Sequence, residues 1–167
     1  FVSIYHADDI YEKDIAVKEI EFLTNNPNTG AVFSMGKIID RNDKIIGAHK
    51  LPKELRSKNI YVFNDIFKNI LQHGNTFLLT PTFMARKNIF DAIGSFTNEG
   101  QFGTSADLDM WLRILGKYNI GILHENLIRR RENGQGNSYN SLRTDRADFF
   151  KVMDHHLTDE NNIAKFV

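Results

Sequence analysis

Short β-rich segments alternate with amphipathic helical segments along this chain, and that alternation limits its fold more than any other feature. Residues 30–39 and 44–48 are β-rich runs joined by the turn sequence Asp-Arg-Asn-Asp, which predicts a hairpin. Helices separate most other strands, as crossover connections do, so we expect an α/β domain with a mixed sheet and flanking helices. Strands are expected at 1–5, 30–39, 44–48, 76–80, 120–124 and 126–131, an extended segment at 83–85, helices at 12–25, 62–73, 86–93, 106–117 and 142–157, and loops at 51–59, 101–104 and 134–138.

The composition excludes several classes of protein. The 167 residues include 21 Lys and Arg, 21 Asp and Glu, and no Cys. The balanced charge argues against a general nucleic-acid-binding protein, and the absence of Cys excludes a disulfide scaffold, a thiolate zinc site and a cysteine nucleophile. No apolar run reaches the roughly 18–20 residues that a membrane helix needs. No HExxH, GxSxG, P-loop or GxGxxG motif is present. We therefore expect one domain over residues 1–167 in a cytoplasmic protein.

The first candidate site is the tetrapeptide His6-Ala7-Asp8-Asp9, which follows the first predicted strand. In open α/β sheets, ligands bind beyond the carboxyl ends of strands. Asp8 and Asp9 repel each other unless a cation or a donor lies between them, and their oxygens suit Mg²⁺ or Mn²⁺. A solvated turn that caps the following helix would explain the same residues.

The second candidate site is Asp107, at the start of the helix predicted after Ser105. Asp107 and Asp109 lie in its first turn, where the helix dipole favours negative charge. An acid there can act as a general base in a cleft, or it can simply stabilise the helix. Arg113 can pair with a phosphate or with one of these acids. The predicted buried stripe of the helix is Leu108, Trp111, Leu112 and Leu115.

The third candidate site is the run Arg129-Arg130-Arg131 on the last predicted strand. Because side chains alternate along a strand, Arg129 and Arg131 share one side and Arg130 faces the other. An acidic group should face each side. A diphosphate is one candidate, and the protein's own acids are the others, namely Asp107, Asp109 or Glu132.

These motifs occur in an order that resembles the family 2 glycosyltransferases of the GT-A fold. The tetrapeptide HADD ends a strand and is followed by GNTFLLTPTFMARKNIFDAIGSF, then by ADLDMWLRI and LIRRRENGQGNS. The resemblance covers residues 1–138, and we expect residues 139–167 to form a C-terminal helical extension. It implies a GT-A-type mixed sheet and transfer of a sugar from a nucleotide-diphosphate sugar to an acceptor hydroxyl.

The resemblance also implies roles for the candidate residues. His6, Asp8 and Asp9 match the DXD motif, which binds Mg²⁺ or Mn²⁺ and through it the diphosphate of the donor. Asp107 matches the general base of inverting members. The same likeness places Asp109 and Trp111 at the acceptor site, and it makes Arg113 and Arg131 the candidate donor-binding cations.

Three departures from the family pattern weaken parts of this interpretation. His6 replaces the usual first Asp of the metal motif, although His can also ligate a metal. Ala106 replaces the usual Glu before the base, which removes one carboxylate that orients the acceptor. The His that follows the Tyr-Arg strand in some relatives is missing, and Glu132 and Asn133 occupy that region.

Family members begin with a nucleoside-binding part that precedes the DXD strand, and this chain lacks it. We therefore expect a truncated glycosyltransferase domain that alone binds nucleotide sugars weakly or not at all. Truncation would expose the sheet edge at residues 1–5 and favour a homodimer through it. The commonest use of the family implies bacterial polysaccharide synthesis on a carbohydrate or lipid-linked acceptor, with the full-length protein peripheral to the inner face of the membrane.

Two other functions are compatible with the sequence. The departures from the family pattern favour a non-catalytic carbohydrate- or protein-binding module on the same fold. A Mg²⁺-dependent nucleotidyltransferase or phosphatase could use Asp8 and Asp9, although the chain has no glycine-rich loop of the kind that cradles phosphate.

Overall fold

The computed structural model describes residues 1–97, 99–132 and 139–158, and in them seven strands form one mixed sheet with helices on both faces. The strands are β1 (Val2–Ser3), β2 (Ile10–Tyr11), β3 (Thr29–Ile39), β4 (Ile45–Ala48), β5 (Ile60–Tyr61), β6 (Met84–Ala85) and β7 (Asn119–Arg131). The helices are α1 (Ile15–Asn25), α2 (Phe63–His73), α3 (Lys87–Ile93), α4 (Glu99–Phe102), α5 (Ala106–Leu115) and α6 (Tyr139–Thr158). The expected α/β class with a mixed sheet is confirmed.

The two long strands β3 and β7 run parallel at the centre of the sheet. The strand order is β1-β6-β3-β7-β2, with β4 paired to β3 and β5 paired to β7. All pairings other than β3 with β7 are antiparallel, and the predicted hairpin is present as β3 and β4. In its turn, the Asp40 carboxylate accepts the N–H groups of Asn42 and Lys44, which fixes the reversal of the chain.

The larger hydrophobic core lies between the sheet and helices α2 and α5. Trp111 of α5 is fully buried there, with its ring centroid 4.9 Å from that of Phe33 on β3 and 4.4 Å from that of Phe83. The predicted stripe of α5 is confirmed, since Leu108, Trp111, Leu112 and Leu115 are all buried. On the other face of the sheet, Leu23 of α1 packs with Val32 and Met84.

The predicted strand at residues 76–80 is wrong. Its apolar residues are buried, but Pro81 follows at once and a 3-10 turn spans Thr80–Thr82. The backbone bonds are local, from the Leu78 N–H to the Asn75 carbonyl at 3.0 Å and from the Thr82 N–H to the Leu79 carbonyl at 2.8 Å. Proline has no N–H to donate to a sheet, so the chain turns here instead of pairing.

Other element boundaries also differ from the sequence predictions. The two strands expected at 120–124 and 126–131 are one strand, β7, with an irregular register opposite Ser34–Gly36. The strands β2 and β5 were not predicted, because two residues are too few to show an alternating pattern. The loop expected at 101–104 contains the end of α4 and a 3-10 turn, Gly103–Ser105. The loop expected at 134–138 lies outside the described residues.

The outer edge of β1 has no strand beside it in the described part of the chain, where β1 pairs only with β6. The strand is shorter than predicted, and Phe1 and Val2 are exposed. The homodimer through this edge stays a prediction. None of the described helices is both long enough and apolar enough to span a lipid bilayer.

Candidate functional site

The loop at residues 6–9 follows β1 at the end of the sheet towards which the parallel strands point. Because β6 is antiparallel to both β1 and β3, the strands β1, β3 and β7 run in one direction. The Ile4 N–H donates to the Phe83 carbonyl at 3.1 Å, and the turn at Thr80–Thr82 immediately precedes Phe83. The loop and this turn are therefore neighbours at one end of the β1–β6 pair.

Asp9 is the best-fixed side chain of the loop. It is only 2% exposed, and its Oδ1 accepts the backbone N–H of Arg131 at 2.8 Å. Its Oδ2 is buried without a hydrogen-bond partner among the described residues and lies 4.0 Å from His6 Nδ1. A buried carboxylate oxygen without a donor is costly, so this atom marks a position where a cation or donor would be stabilised.

Arg131 joins the loop to the β3–β4 turn. Its Nε donates to the Asp8 carbonyl at 3.0 Å and its Nη1 to the Asp40 carbonyl at 2.9 Å. Its Nη2 lies 2.6 Å from Asp43 Oδ1. The guanidinium predicted to bind the donor is thus held by protein groups, and it positions the loop that carries Asp8 and Asp9.

Arg129 and Arg130 are the other two arginines of the third predicted site. Arg129 Nε lies 3.5 Å from Glu12 Oε1, whereas Arg130 is exposed. The acids that face Arg129 and Arg131 are therefore Glu12 and Asp43, which differ from the acids that the sequence offered as partners.

His6, Asp8 and Asp9 lie close enough together to hold one metal ion. One ligand atom from each lies within 4.8 Å of the others. Two atoms bound to one ion at about 2.1–2.2 Å are at most about 4.4 Å apart, so a small closure of the exposed His6 and Asp8 side chains suffices. Two carboxylates and an imidazole are a donor set that Mn²⁺ accepts more readily than Mg²⁺. These three side chains fit such an ion. A bound ion would stabilise Asp9 Oδ2 most, because that buried atom has no hydrogen-bond donor among the described residues.

Asp107 is half-buried in the first turn of α5. The Thr80 hydroxyl donates to its Oδ2 at 2.6 Å, and the backbone N–H of Leu108 donates to its Oδ1 at 2.7 Å. Ser105 precedes the helix as predicted, but its hydroxyl makes no capping hydrogen bond. Sequence reasoning missed Thr80, because it placed that residue in a strand and the contact spans 27 positions.

Asp109 lies below the surface, within a set of hydrogen bonds. Its Oδ2 accepts from the Thr97 hydroxyl at 2.8 Å and from Arg113 Nε at 2.9 Å, and its Oδ1 lies 2.9 Å from His156 Nε2. Burial alone would raise the pKa of Asp109, but the hydrogen bonds from His156 and Thr97 and the charge of Arg113 outweigh it, so that pKa lies below its ordinary value.

The remaining polar groups of Arg113 bind backbone carbonyls. Its Nη1 donates to Ile93 at 2.6 Å and its Nη2 to Ser95 at 2.9 Å. Asp107 is partly exposed, but Asp109 and Trp111, which were predicted for the acceptor site, are at most 1% exposed. Arg113, which was predicted for the donor, is bound by Asp109 and by two backbone carbonyls. The contacts of Asp109, Trp111 and Arg113 therefore hold α5 in place within the protein.

Helix α6 is joined to the start of α5 at two points. Asp148, 4% exposed, accepts the Thr104 N–H at 3.1 Å and the Thr104 hydroxyl at 3.3 Å, and His156 meets Asp109. Gly103, with φ of +51°, lies against the Asp148 carboxylate, where a Cβ would clash. The helix that the sequence placed outside the family-like core therefore holds the segment that leads into Asp107.

Asp109, His155 and His156 form a second cluster of side chains that could ligate a metal. Their contacts within the protein account for this cluster without an ion. His156 Nε2 is already at hydrogen-bond distance from Asp109, and both Asp109 oxygens have donors. His155 packs its ring on Phe102, with centroids 5.4 Å apart. We assign this cluster a structural role.

Comparison with known proteins supports a glycosyltransferase-like fold. No family model matches the chain. The chain is 23% identical, over 168 aligned positions, to an uncharacterized glycosyltransferase of Methanocaldococcus jannaschii. The alignment covers all of this chain and 54% of the relative, so the chain spans about half the length of that protein. The mixed sheet with flanking helices is consistent with such a protein.

Proposed function

We propose that this chain carries the metal-binding loop and the acceptor-activating base of a glycosyltransferase that uses a nucleotide-diphosphate sugar. The observation that supports this most directly is the setting of Asp107, a carboxylate fixed by the Thr80 hydroxyl and a helix N–H. It lies on the helix that follows a Gly-containing turn, and its partner Thr80 belongs to the turn before Phe83, whose carbonyl accepts the N–H of Ile4, just before the loop of Asp8 and Asp9. The similarity to a protein named a glycosyltransferase agrees with this reading.

In the proposed reaction, Asp107 removes the proton from the acceptor hydroxyl. The freed oxygen forms a bond to the anomeric carbon of the donor sugar while the bond from that carbon to the diphosphate oxygen breaks. Attack opposite the leaving group inverts the anomeric configuration. A hydroxyl is a poor nucleophile at neutral pH, so a base within hydrogen-bond reach contributes about 10²–10⁴-fold to such a step.

His6, Asp8 and Asp9 would hold the divalent ion in this proposal. When bound, the ion supplies positive charge that offsets the charge of the departing nucleoside diphosphate. Arg131 keeps the loop in place, because its Nε donates to the Asp8 carbonyl and its backbone N–H donates to Asp9 Oδ1. Asp9, which is buried, would be the anchoring ligand, while the exposed His6 and Asp8 would close around the ion.

The test is an Asp107→Asn substitution in the protein that carries this chain. We would measure nucleoside diphosphate released from a panel of UDP- and GDP-sugars with Mn²⁺, alone and with simple saccharide acceptors. The expected result is a loss of about 10²–10⁴-fold in turnover. Asp91→Asn, at an exposed position on α3, is the matched control and should leave turnover unchanged.

The same assay separates the competing functions. Turnover by Asp107→Asn within twofold of the parent protein would sink the proposal of a general base. A parent protein that binds saccharides but releases no diphosphate from any donor would instead be a binding module on this fold. Thr80→Val should lower turnover less than Asp107→Asn does, because it removes only the group that orients the carboxylate.

A further inference from the structure

A basic depression lies on the same face of the sheet as α5. It has a volume of about 380 Å³, and its floor is Met35 and Leu51, which belong to the core that also contains Trp111. Its polar lining consists of His49, Lys50, Arg56, His124 and Asn126. Lys50 and Arg56 are exposed cations, and no described carboxylate lines this depression.

Two consecutive residues of β7, His124 and Glu125, face opposite sides of the sheet. Leu123 pairs with Ser34 and Asn126 pairs with Met35, so His124 and Glu125 are two extra residues on β7. Because side chains alternate along a strand, His124 shares the face of Ile122, which belongs to the same core as Met35. His124 lines the depression, where its Nε2 lies 3.1 Å from the Tyr61 hydroxyl.

Glu125, the other extra residue, is held away from the depression. Its carboxylate binds Lys18 Nζ of α1, at 2.5 Å, on the opposite face of the sheet. Strand β7 therefore contributes an imidazole to the depression, and the adjacent carboxylate lies on the other face of the sheet. Glu54, with Lys53, lines an adjoining depression that shares Lys50, Leu51 and Arg56.

His49 provides a second observation that points to a ligand. Its Nε2 is buried and has no hydrogen-bond partner among the described residues, although its backbone N–H is satisfied by the Gly36 carbonyl at 2.8 Å. Burial and, next, the charge of Arg130 lower the pKa of His49, and the charges of Glu132 and Asp9 oppose this shift. A ligand can complete such a nitrogen, and in the tautomer with its proton on Nε2 the imidazole donates to an oxyanion.

We propose that this depression binds an oxyanion carried by a saccharide, a phosphate or a carboxylate, through Lys50, Arg56 and His49. Arg and Lys form the strong, charge-assisted hydrogen bonds that such groups need, and the volume exceeds that of a bare phosphate. Because the depression and α5 share one face of the sheet, the bound saccharide is the acceptor or a part of it. That assignment rests on the proposed function, whereas the binding itself does not.

The experiment is a titration of the folded chain with glucose 6-phosphate, glucuronate and neutral glucose, followed through the ring-proton NMR signals of His49 and His124. We expect saturable shifts with at least one of the two anionic sugars and none with glucose. Which anion binds distinguishes a phosphate source from a carboxylate source. Lys50→Gln and Arg56→Gln should each weaken binding by at least about tenfold.

Two control variants, Lys68→Gln and Asp107→Asn, make the outcome decisive. Lys68→Gln removes the same charge at an exposed position of α2 outside the depression and should not change the affinity. Lys50 is exposed, so Lys50→Gln tests the site even if Arg56→Gln, which loses the bond from Nε to the Leu51 carbonyl, disturbs the fold. Asp107→Asn should bind the anion normally while losing turnover, so the two proposals fail separately.

Absence of saturable binding by both anionic sugars would overturn the inference. Equal binding of glucose would also overturn it, because no oxyanion would then be needed. An equal loss in Lys50→Gln and Lys68→Gln would show general charge attraction instead of a site.

Discussion

Replacement of the buried acid Glu19 by Gln should stabilise this protein, and by an amount that depends on pH. Glu19 lies on α1 between the buried residues Ile15 and Leu23, is 0% exposed, and has no described hydrogen-bond partner for either carboxylate oxygen. Burial raises the pKa of Glu19 from 4.5 to about 8. The acid is therefore mostly protonated at neutral pH in the folded protein and ionised in the unfolded chain.

The size of the effect follows from that difference in pKa. Between pH 4.5 and 8 the folded state binds more protons than the unfolded state, so stability falls as the pH rises through this range. Each pKa unit corresponds to about 1.4 kcal/mol, so the loss reaches about 3 kcal/mol at pH 7 and about 5 kcal/mol above pH 8. Gln does not titrate, and Glu19→Gln should remove this loss.

Urea denaturation followed by Trp111 fluorescence, repeated from pH 4 to pH 9, measures the effect. The free energies of unfolding of the parent and of Glu19→Gln should nearly coincide at pH 4 and diverge to about 3 kcal/mol at pH 7. Glu21→Gln changes an exposed acid on the same helix and should follow the parent curve. A gap between parent and Glu19→Gln that stays constant from pH 4 to pH 9 would refute the reasoning.

Two further substitutions test how α6 holds the start of α5. His156→Gln weakens the buried contact with Asp109 and should cost about 1–3 kcal/mol in urea denaturation, whereas His155→Gln, at an exposed position, should cost less than about 0.5 kcal/mol. Gly103→Ala forces a side chain into a left-handed backbone against Asp148 and should cost about 1–3 kcal/mol. Gly100→Ala, where a Cβ meets nothing within 4 Å, should be near neutral or slightly stabilising, and a loss equal to that of Gly103→Ala would contradict the assignment.

The sequence predicted elements whose signals lie within a few residues of one another. The helix at 62–73 was predicted from its apolar face and is observed as Phe63–His73, with the Asp65 carboxylate accepting the Val62 N–H at 3.0 Å. The hairpin was predicted from its acidic turn, and the stripe of α5 from its helical spacing. In each case the local pattern and the buried face agree, so no distant partner was needed to identify the element.

Long-range contacts determined the features that the sequence missed. Thr80 meets Asp107 and His156 meets Asp109 across 27 and 47 positions. A threonine before a proline and a histidine near a helix end carry no local signal for such roles. For the candidate site, the acids could therefore be predicted, but the groups that orient them could not.

For helix α1, the sequence predicted the helix correctly but predicted the wrong set of buried residues. The sequence offered Ile15, Ile20, Phe22 and Leu23 as its apolar residues, but the buried positions are Ile15, Glu19 and Leu23, while Ile20 is 39% exposed. Residues four apart share one side of a helix, so once Ile15 and Leu23 pack on the sheet, Glu19 is buried with them. A hydrophobicity pattern scores Glu19 as polar because it assumes a charged group. Protonation removes that charge, so the acid can occupy the face that the pattern reserves for apolar side chains.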